Sequence, residues 1–224
     1  MLENSIFEEG NRMLVYDQIL DRVENFNKYK NVYENNKAKP MIENFNKSNL
    51  QSVSYDVTMN HIIRKFKDEF QTIYLDKKDS VENIFDEIDI TYGYHLRPNE
   101  FILVTLNEVL NMPDDVGAHI RPRTTFNRLG LIITAQHINP SYSGQLQIGI
   151  KNETPNVVVI KPNLVIGQIV FELVDDKIRE SELYRNKKSS KYQGETSFVG
   201  SKVYDEADIK EAENIYNKIK DKFK

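Results

Sequence analysis

Between Arg121 and Arg128 the chain places three arginines (Arg121, Arg123, Arg128) and two adjacent hydroxyls (Thr124, Thr125) within eight residues. Planar guanidinium forks and hydroxyl donors supply several charge-assisted hydrogen bonds in fixed geometry, which is what a chain of phosphates needs. The same spacing also suits a solvated basic loop. A second basic set, Arg185, Lys187, Lys188 and Lys191, follows nearer the C-terminus. It reads as a solvated arm or, with Tyr184 seven residues ahead of Lys191, as a segment that closes over phosphate.

Absences exclude other chemistries. With 0 Cys there is no disulfide framework, no thiolate zinc site and no cysteine nucleophile. The four histidines, His61, His95, His119 and His137, have no metal-ligand spacing and read first as structural or surface residues, with His137 the one next to a candidate pocket. No glycine-rich phosphate loop is present. Thirty Lys+Arg against 34 Asp+Glu leave a net charge of −4, which argues against duplex nucleic acid as partner but leaves room for a local anion site. The apolar runs are too short to span a membrane, and Met1–Asn4 lacks the charged and apolar regions of a secretory signal, so a cytoplasmic protein is expected.

These residues need a scaffold, and three textures suggest one. In residues 1–47, Tyr16, Ile19, Leu20, Val23 and Phe26 repeat at three-and-four spacing, predicting an amphipathic helix over about 12–30, followed by a surface connection through Glu34–Pro40. Residues 48–176 alternate short β-branched and aromatic runs (55–59, 101–106, 131–135, 145–150, 157–160, 166–173) with turn pairs such as Pro98-Asn99, Pro140-Ser141 and Pro162-Asn163. That pattern predicts a mainly β barrel or jelly-roll, with 61–90 as an insertion or long-looped hairpin. Residues 177–203 read as a flexible arm. Residues 204–224 read as a helix capped by Asp205, with Ile209, Ala212, Ile215, Ile219 and Phe223 on one face. Both terminal helices are expected to pack on the barrel exterior; clamping a trimer or recruiting a partner is the sharper alternative.

Six segments in order resemble the dCTP deaminase and dUTPase superfamily, closest to its deaminase branch. Ser52–Val57 is similar to S-S-Y-D-L, Leu96–Leu103 to L-x-P-G-E-F-x-L, and Pro122–Leu131 to G-R-S-S-x-A-R-L-G-L with threonines for both serines. Ala135–Gly144 resembles A-x-x-I-D-P-G-W-x-G, Pro162–Phe171 resembles P-x-x-x-I-G-Q-L-x-F, and Lys191–Gly194 resembles the K-Y-Q-G of the mobile C-terminal arm.

The resemblance implies a distorted dUTPase-like β-barrel, a homotrimer with sites shared between subunits, a deoxypyrimidine nucleoside triphosphate as ligand, and Mg²⁺ carried on that triphosphate. It puts Thr124 at the catalytic centre, Arg128 on the reaction geometry and phosphates, and Arg123 and Thr125 on the triphosphate of a neighbouring subunit. The backbone around Ala135 would read the pyrimidine edge, Tyr142 would lie near the sugar, Gln168 would contact phosphate, and Tyr184 and Lys191 would close over the nucleotide.

Two departures bear on activity. The deaminase glutamate that activates water falls on Gly149, and the dUTPase aspartate falls on Asn139, with Ser141 at the second aspartate. Deamination at a pyrimidine C4 needs a proton acceptor and a donor, and glycine is neither. Glu153 shares the strand face but sits about 13 Å from Gly149 at about 3.3 Å per residue. Asp56, Asp114, Asp115 or Glu195 would have to enter from elsewhere. A cysteine-free chain also lacks the H-x-E and C-x-x-C set of zinc deaminases, so the expected chemistry is zinc-independent. The first reading is deamination of dCTP to dUTP. The alternatives are a dUTPase-type pyrophosphatase and a catalytically silent nucleotide-binding or regulatory homologue.

Overall fold

The structure, a computed structural model, describes residues 13–69 and 71–222. The expected absence of a leader at Met1–Asn4 and the place of Phe223 on the last helix lie outside the described residues. No helix among the described residues is long and apolar enough to cross a membrane.

The fold is mainly β, a curled barrel as expected. Its strands are β1 (Ile42–Glu43), β2 (Tyr55–Phe66), β3 (Phe85–Asp89), β4 (Tyr94–Leu96), β5 (Phe101–Leu106), β6 (Val109–Asn111) and β7 (Val116–Pro122). After these come β8 (Leu131–Ile133), β9 (Gln136–Ile138), β10 (Ser143–Gly144), β11 (Gln147–Asn152), β12 (Val158–Ile160) and β13 (Val165–Leu173). The main sheet runs β8-β11-β5-β2-β13-β7-β9, with β3 beside β2. Two small sheets, β1-β6-β10 and β12-β4, complete it. Strict alternation sorts the side chains: in β5, Ile102, Val104 and Leu106 are fully buried while Phe101, Leu103 and Thr105 face outward. The same rule buries Ile148 and Ile150 of β11 and turns Gln147 outward.

Strand β2 joins the two halves of the barrel. It pairs with β13 through Tyr55–Thr58 and with β5 from Met59 onward, with register shifts at Met59/Ile63 and at Val165/Gly167. Such shifts bend a strand and re-aim its side chains. At the bend the buried Glu108 carboxylate accepts the Thr58 N–H (3.1 and 3.2 Å) and the Thr58 hydroxyl (2.9 Å). Asn107 donates to Thr58 Oγ1, to the Met59 carbonyl and to Asn163 Oδ1. The proline turns behave as their composition predicts. Asn99, Ser141 and Asn163, each directly after a proline, take φ of 63°, 66° and 64°, the second-corner conformation of a type II turn.

The expected long N-terminal helix is shorter: α1 spans Tyr16–Glu24, and 3₁₀ turns follow over Phe26–Val32. The cause lies in Asp21, whose carboxylate accepts from Asn25 (2.7 Å), Lys28 (2.8 Å) and Tyr29 (2.7 Å), drawing the chain into a tighter coil. Those bonds, that of Lys28 foremost, hold the Asp21 carboxyl down to about 2. As expected, α1 packs on the barrel, burying Ile19 and Val23, and Arg22 forms a bidentate pair with Asp115 (3.0 and 2.8 Å). The segment 67–84 carries α2 (Lys78–Glu82), and α3 is Thr124–Leu129.

The C-terminal helix, α4 (Ala207–Lys222), departs from expectation twice. Asp205 lies in the preceding turn and accepts from Lys210 (3.2 Å) instead of capping. No residue of α4 is buried, and Ile215, Tyr216 and Ile219 are exposed. An apolar stripe specifies that a helix has an inner face, not which surface covers it.

Glu108→Ala strands the partly buried Thr58 N–H and should cost about 1–3 kcal/mol in urea denaturation, with Glu108→Gln costing less because it keeps an acceptor. Burial raises the Glu108 carboxyl. A raised pKa means the native state holds the proton to higher pH than the unfolded chain. The resulting penalty is absent below about pH 4.3 and complete above the folded value. Glu108→Gln should therefore flatten the stability profile across that window.

Candidate functional site

A cavity of about 580 Å³ opens on the outer face of β5 and β11. Strand and turn residues Gln136, Asn139, Tyr142 and Gln147 form one wall, Phe101 and Leu103 the floor, and Phe85 an edge. The other wall is the arm, through Tyr184, Tyr192, Glu195 and Phe198.

The arm is laid on the barrel by main-chain bonds. Gly194 N–H donates to the Ser143 carbonyl (2.8 Å), and Gln145 N–H donates to the Glu195 carbonyl (2.7 Å). Gly144, with φ 147°, has to be glycine here because a Cβ would lie 2.8 Å from that carbonyl oxygen. Side chains add to this. Arg185 pairs with Asp114 and Glu180, and Gln193 reaches the Ser141 carbonyl (3.1 Å) and the Ser143 N–H (3.2 Å). Tyr142 and Tyr184 meet edge to face at 5.7 Å. Phe198 meets Phe85 edge to face at 5.7 Å and lies under the Arg64 guanidinium at 4.7 Å.

At position 149 the loss of a side chain is matched by the packing around it. A Cβ there would fall 2.6 Å from two ring carbons of Phe101 and 2.8 Å from Thr134 Cγ2. The Gly149 N–H donates to Thr134 Oγ1 (2.8 Å), and the Phe101 ring leans on Phe66 at 5.8 Å. The room for an acidic side chain is occupied by an aromatic ring and a threonine methyl.

The residues singled out in the sequence separate into two groups. Asn139, Tyr142 and Tyr184 line the cavity; Gly149 lies in the strand beneath it, and Ala135 sits exposed just before Gln136. None of Arg121, Arg123, Thr124, Thr125, Arg128 or Gln168 lines it. Gln168 lies between Asp56 and Arg121 in the sheet and accepts from Ser54 (3.3 Å). Arg123 approaches Asp56 at 3.8 Å. Thr124, Thr125 and Arg128 are exposed on α3, which Gly130 ends in a left-handed conformation (φ 87°). Lys191 joins neither group, its ammonium being held by Glu206 (2.6 Å) and the Lys202 carbonyl (3.0 Å).

The carboxylates considered as replacements sort cleanly. Asp56 faces Arg123, Asp114 pairs with Arg185, Asp115 pairs with Arg22, and Glu153 pairs with Lys151. Glu195 is the one acid lining the cavity among the described residues. Burial pushes its carboxyl up, against the opposing pull of the Val199 N–H and Lys202. Burial also raises the Tyr142 hydroxyl, with Glu195 adding to the shift. His137 lines the cavity and packs on His119 at 4.8 Å. Among the described residues no group of three or more His, Asp or Glu gathers to hold a metal. Sequence reasoning missed Phe101, Thr134, Gln147 and Phe198 as parts of the site. Only Gln147 carried a signal, sharing the alternation of Gly149.

A family model described as dCTP deaminase-like matches residues 29–174, well over half of the chain, and the chain belongs to that family. It is 30% identical over 166 residues to a "dCTP deaminase, dUMP-forming" of Dictyoglomus turgidum, covering 72% of this chain and 84% of the relative. It is 29% identical over 159 residues to a "dCTP deaminase" of Haloarcula marismortui, covering 69% and 80%. Among solved structures, a 2'-deoxycytidine 5'-triphosphate deaminase from Agrobacterium tumefaciens shares the fold with a TM-score of 0.57 at 19% identity. That match covers 78% of this chain and about half, 52%, of the other.

Gly149→Glu should destabilise the fold by about 1–3 kcal/mol through overpacking. Combining it with Phe101→Ala should recover at least about 1 kcal/mol relative to the sum of the single losses. Urea denaturation of the four proteins measures this; strictly additive losses would show that the ring yields freely.

Proposed function

We propose that this chain binds a deoxypyrimidine nucleoside triphosphate in the family pocket and does not carry out the family's glutamate-driven deamination there. The observation that carries the reading is the occupied volume at Gly149: Phe101 and Thr134 fill the space of the missing side chain. Metal-free deamination requires a group to take a proton from water and return one to departing ammonia. The Asn139 amide is no base, and Gly149 offers nothing. What is retained is a cavity walled by aromatic rings and, elsewhere on the chain, a set of arginines and hydroxyls suited to phosphates.

The separation of those two groups supports sites shared between copies. An aromatic cavity that no lysine or arginine among the described residues lines is half of a triphosphate site. The face bearing Arg121, Arg123, Thr124, Thr125, Arg128 and Gln168 is the complementary half, so a homotrimer, as the resemblance implies, would join them. Mg²⁺ would travel on the triphosphate and needs few protein ligands. In the same reading Thr124 and Arg128 orient the nucleotide, and Lys191 meets phosphate only after leaving Glu206.

Turnover of dCTP to dUTP, or to dUMP as the names of some relatives state, is the second reading. One observation favours it: a carboxyl, that of Glu195, is buried in the cavity wall. Incubating the protein with dCTP or dUTP and Mg²⁺ while following ammonia, pyrophosphate and bound nucleotide separates the readings. The expected outcome is saturable nucleotide binding with neither product. Ammonia release would establish a deaminase, and pyrophosphate release from dUTP a pyrophosphatase. Sedimentation should give the mass of three copies, and a monomer that binds nucleotide fully would remove the shared-site reading.

A further inference from the structure

We propose that α4 is a self-association helix: it pairs antiparallel with α4 of a second copy, setting Ile209 and Ala212 of one against Ile219 and Tyr216 of the other. The inference is independent of the nucleotide reading above, because α4 lies outside residues 29–174, which the family model matches.

Ile209, Ala212, Tyr216 and Ile219 recur at spacings of three, four and three, the a and d positions of a heptad. Ile215 widens the seam beside Tyr216. The stripe is bare. No residue of α4 is buried, and Ile215, Tyr216 and Ile219 are 51%, 63% and 51% exposed. A helix of 16 residues is marginal in water by propensity alone and depends on burying such a stripe. The barrel does not supply the cover, because these side chains stay exposed with the barrel in place.

The stripe does not name its cover; the order of charges does. Residues 207–213 carry Asp208, Glu211 and Glu213, with Lys210 the sole base. Residues 214–222 carry Lys218, Lys220 and Lys222, with Asp221 the sole acid. This order complements the macrodipole within one helix, and it is also self-complementary about a two-fold axis. Laid antiparallel about Asn214, the acidic half of one copy covers the basic half of the other. Asp208 then faces Lys222 of the second copy at both ends of the seam, and Ile215 meets its own counterpart at the axis. The like pair, Glu213 on Glu213, sits at the rim, where water and salt screen it. A parallel pairing does worse, setting Asp208 of each copy beside Glu213 of the other and acidic half on acidic half. An unrelated partner would have to reproduce this order of signs, which a second copy carries by identity.

A two-fold contact doubles whatever assembly the barrel forms. Three copies around a threefold axis cannot satisfy it among themselves, since one α4 is always left over. Two such trimers satisfy all six. The seam is short, so pairing depends on concentration: the dilute protein keeps the lower mass and the concentrated protein reaches twice that mass.

The test is sedimentation of the full chain over a concentration series, for wild type and Ile219→Asp, each confirmed folded by its thermal melt. Wild type should rise to twice its dilute mass and stop there, while Ile219→Asp should hold the dilute mass throughout. Cross-linking reads the orientation, and a chain with 0 Cys makes it clean. In the antiparallel pair, residue 209 lies opposite residue 219 of the second copy. It sits about 15 Å along the axis from its own counterpart, too far for a disulfide. Mixed under oxidation, Ile209→Cys and Ile219→Cys should give the mixed disulfide, with little from either variant alone. Three results overturn the inference: wild type that never doubles, doubling that persists in Ile219→Asp, or disulfides formed mainly by each cysteine variant with itself.

Discussion

The barrel depends on the bend in β2, and the bend depends on Glu108. A single strand there serves two sets of partners, giving Tyr55–Thr58 to β13 and the remainder to β5 and β3. A strand that changes partners leaves main-chain groups unpaired at the crossover, and in a fold core those must be satisfied by something. Glu108 and Asn107, from the turn between β5 and β6, supply the acceptors and donors at Thr58 and Met59. Burying a carboxyl is unfavourable, and its raised pKa records that. Its bonds to Thr58 compensate, and the curled sheet they permit turns β5 and β11 into the floor of the cavity.

The same alternation that fills the barrel explains the site. Every second residue of β5 and β11 must face outward, and on this face Phe101, Leu103, Gln147 and Gly149 do so. Phe101 stands two pairing positions from Gly149 across the ladder, the diagonal neighbour on the same face, since Gly149 pairs with Leu103 and Lys151 with Phe101. A glycine and a phenylalanine in that relation are complementary: the ring takes the volume that the glycine leaves. Replacing the glycine alone is a steric problem rather than a simple restoration of chemistry. The outer face would be an exposed aromatic patch without the arm, which covers it with Tyr184, Tyr192 and Phe198.

Much of this was legible in the sequence where the physics is local. Proline followed by asparagine or serine marked the turns, and the left-handed φ at Asn99, Ser141 and Asn163 is the reason those pairs mark turns. The β5 and β13 runs, the order of the family motifs and the emptiness of position 149 were equally readable. Long-range features were not. The long-looped hairpin expected over 61–90 is formed by β2 and β3, but how far β2 continues, to Phe66, depends on that pairing across the intervening segment 67–84. The filling of position 149 depends on a ring 48 residues earlier in the chain. The early end of α1 depends on one carboxylate gathering three donors, a cluster that competes with helix propensity. The exposure of α4 shows the limit of an amphipathic pattern, which says nothing of where a partner surface lies.

The account turns on Phe101 staying against Gly149 when the pocket is filled. A crystal structure of the protein with a dCTP analogue and Mg²⁺ measures this directly. The account predicts the Phe101 ring in place beside Gly149 and no water held between a carboxylate and C4 of the base. A ring swung away from Gly149, with a carboxylate-bound water within about 3.2 Å of C4, would contradict it.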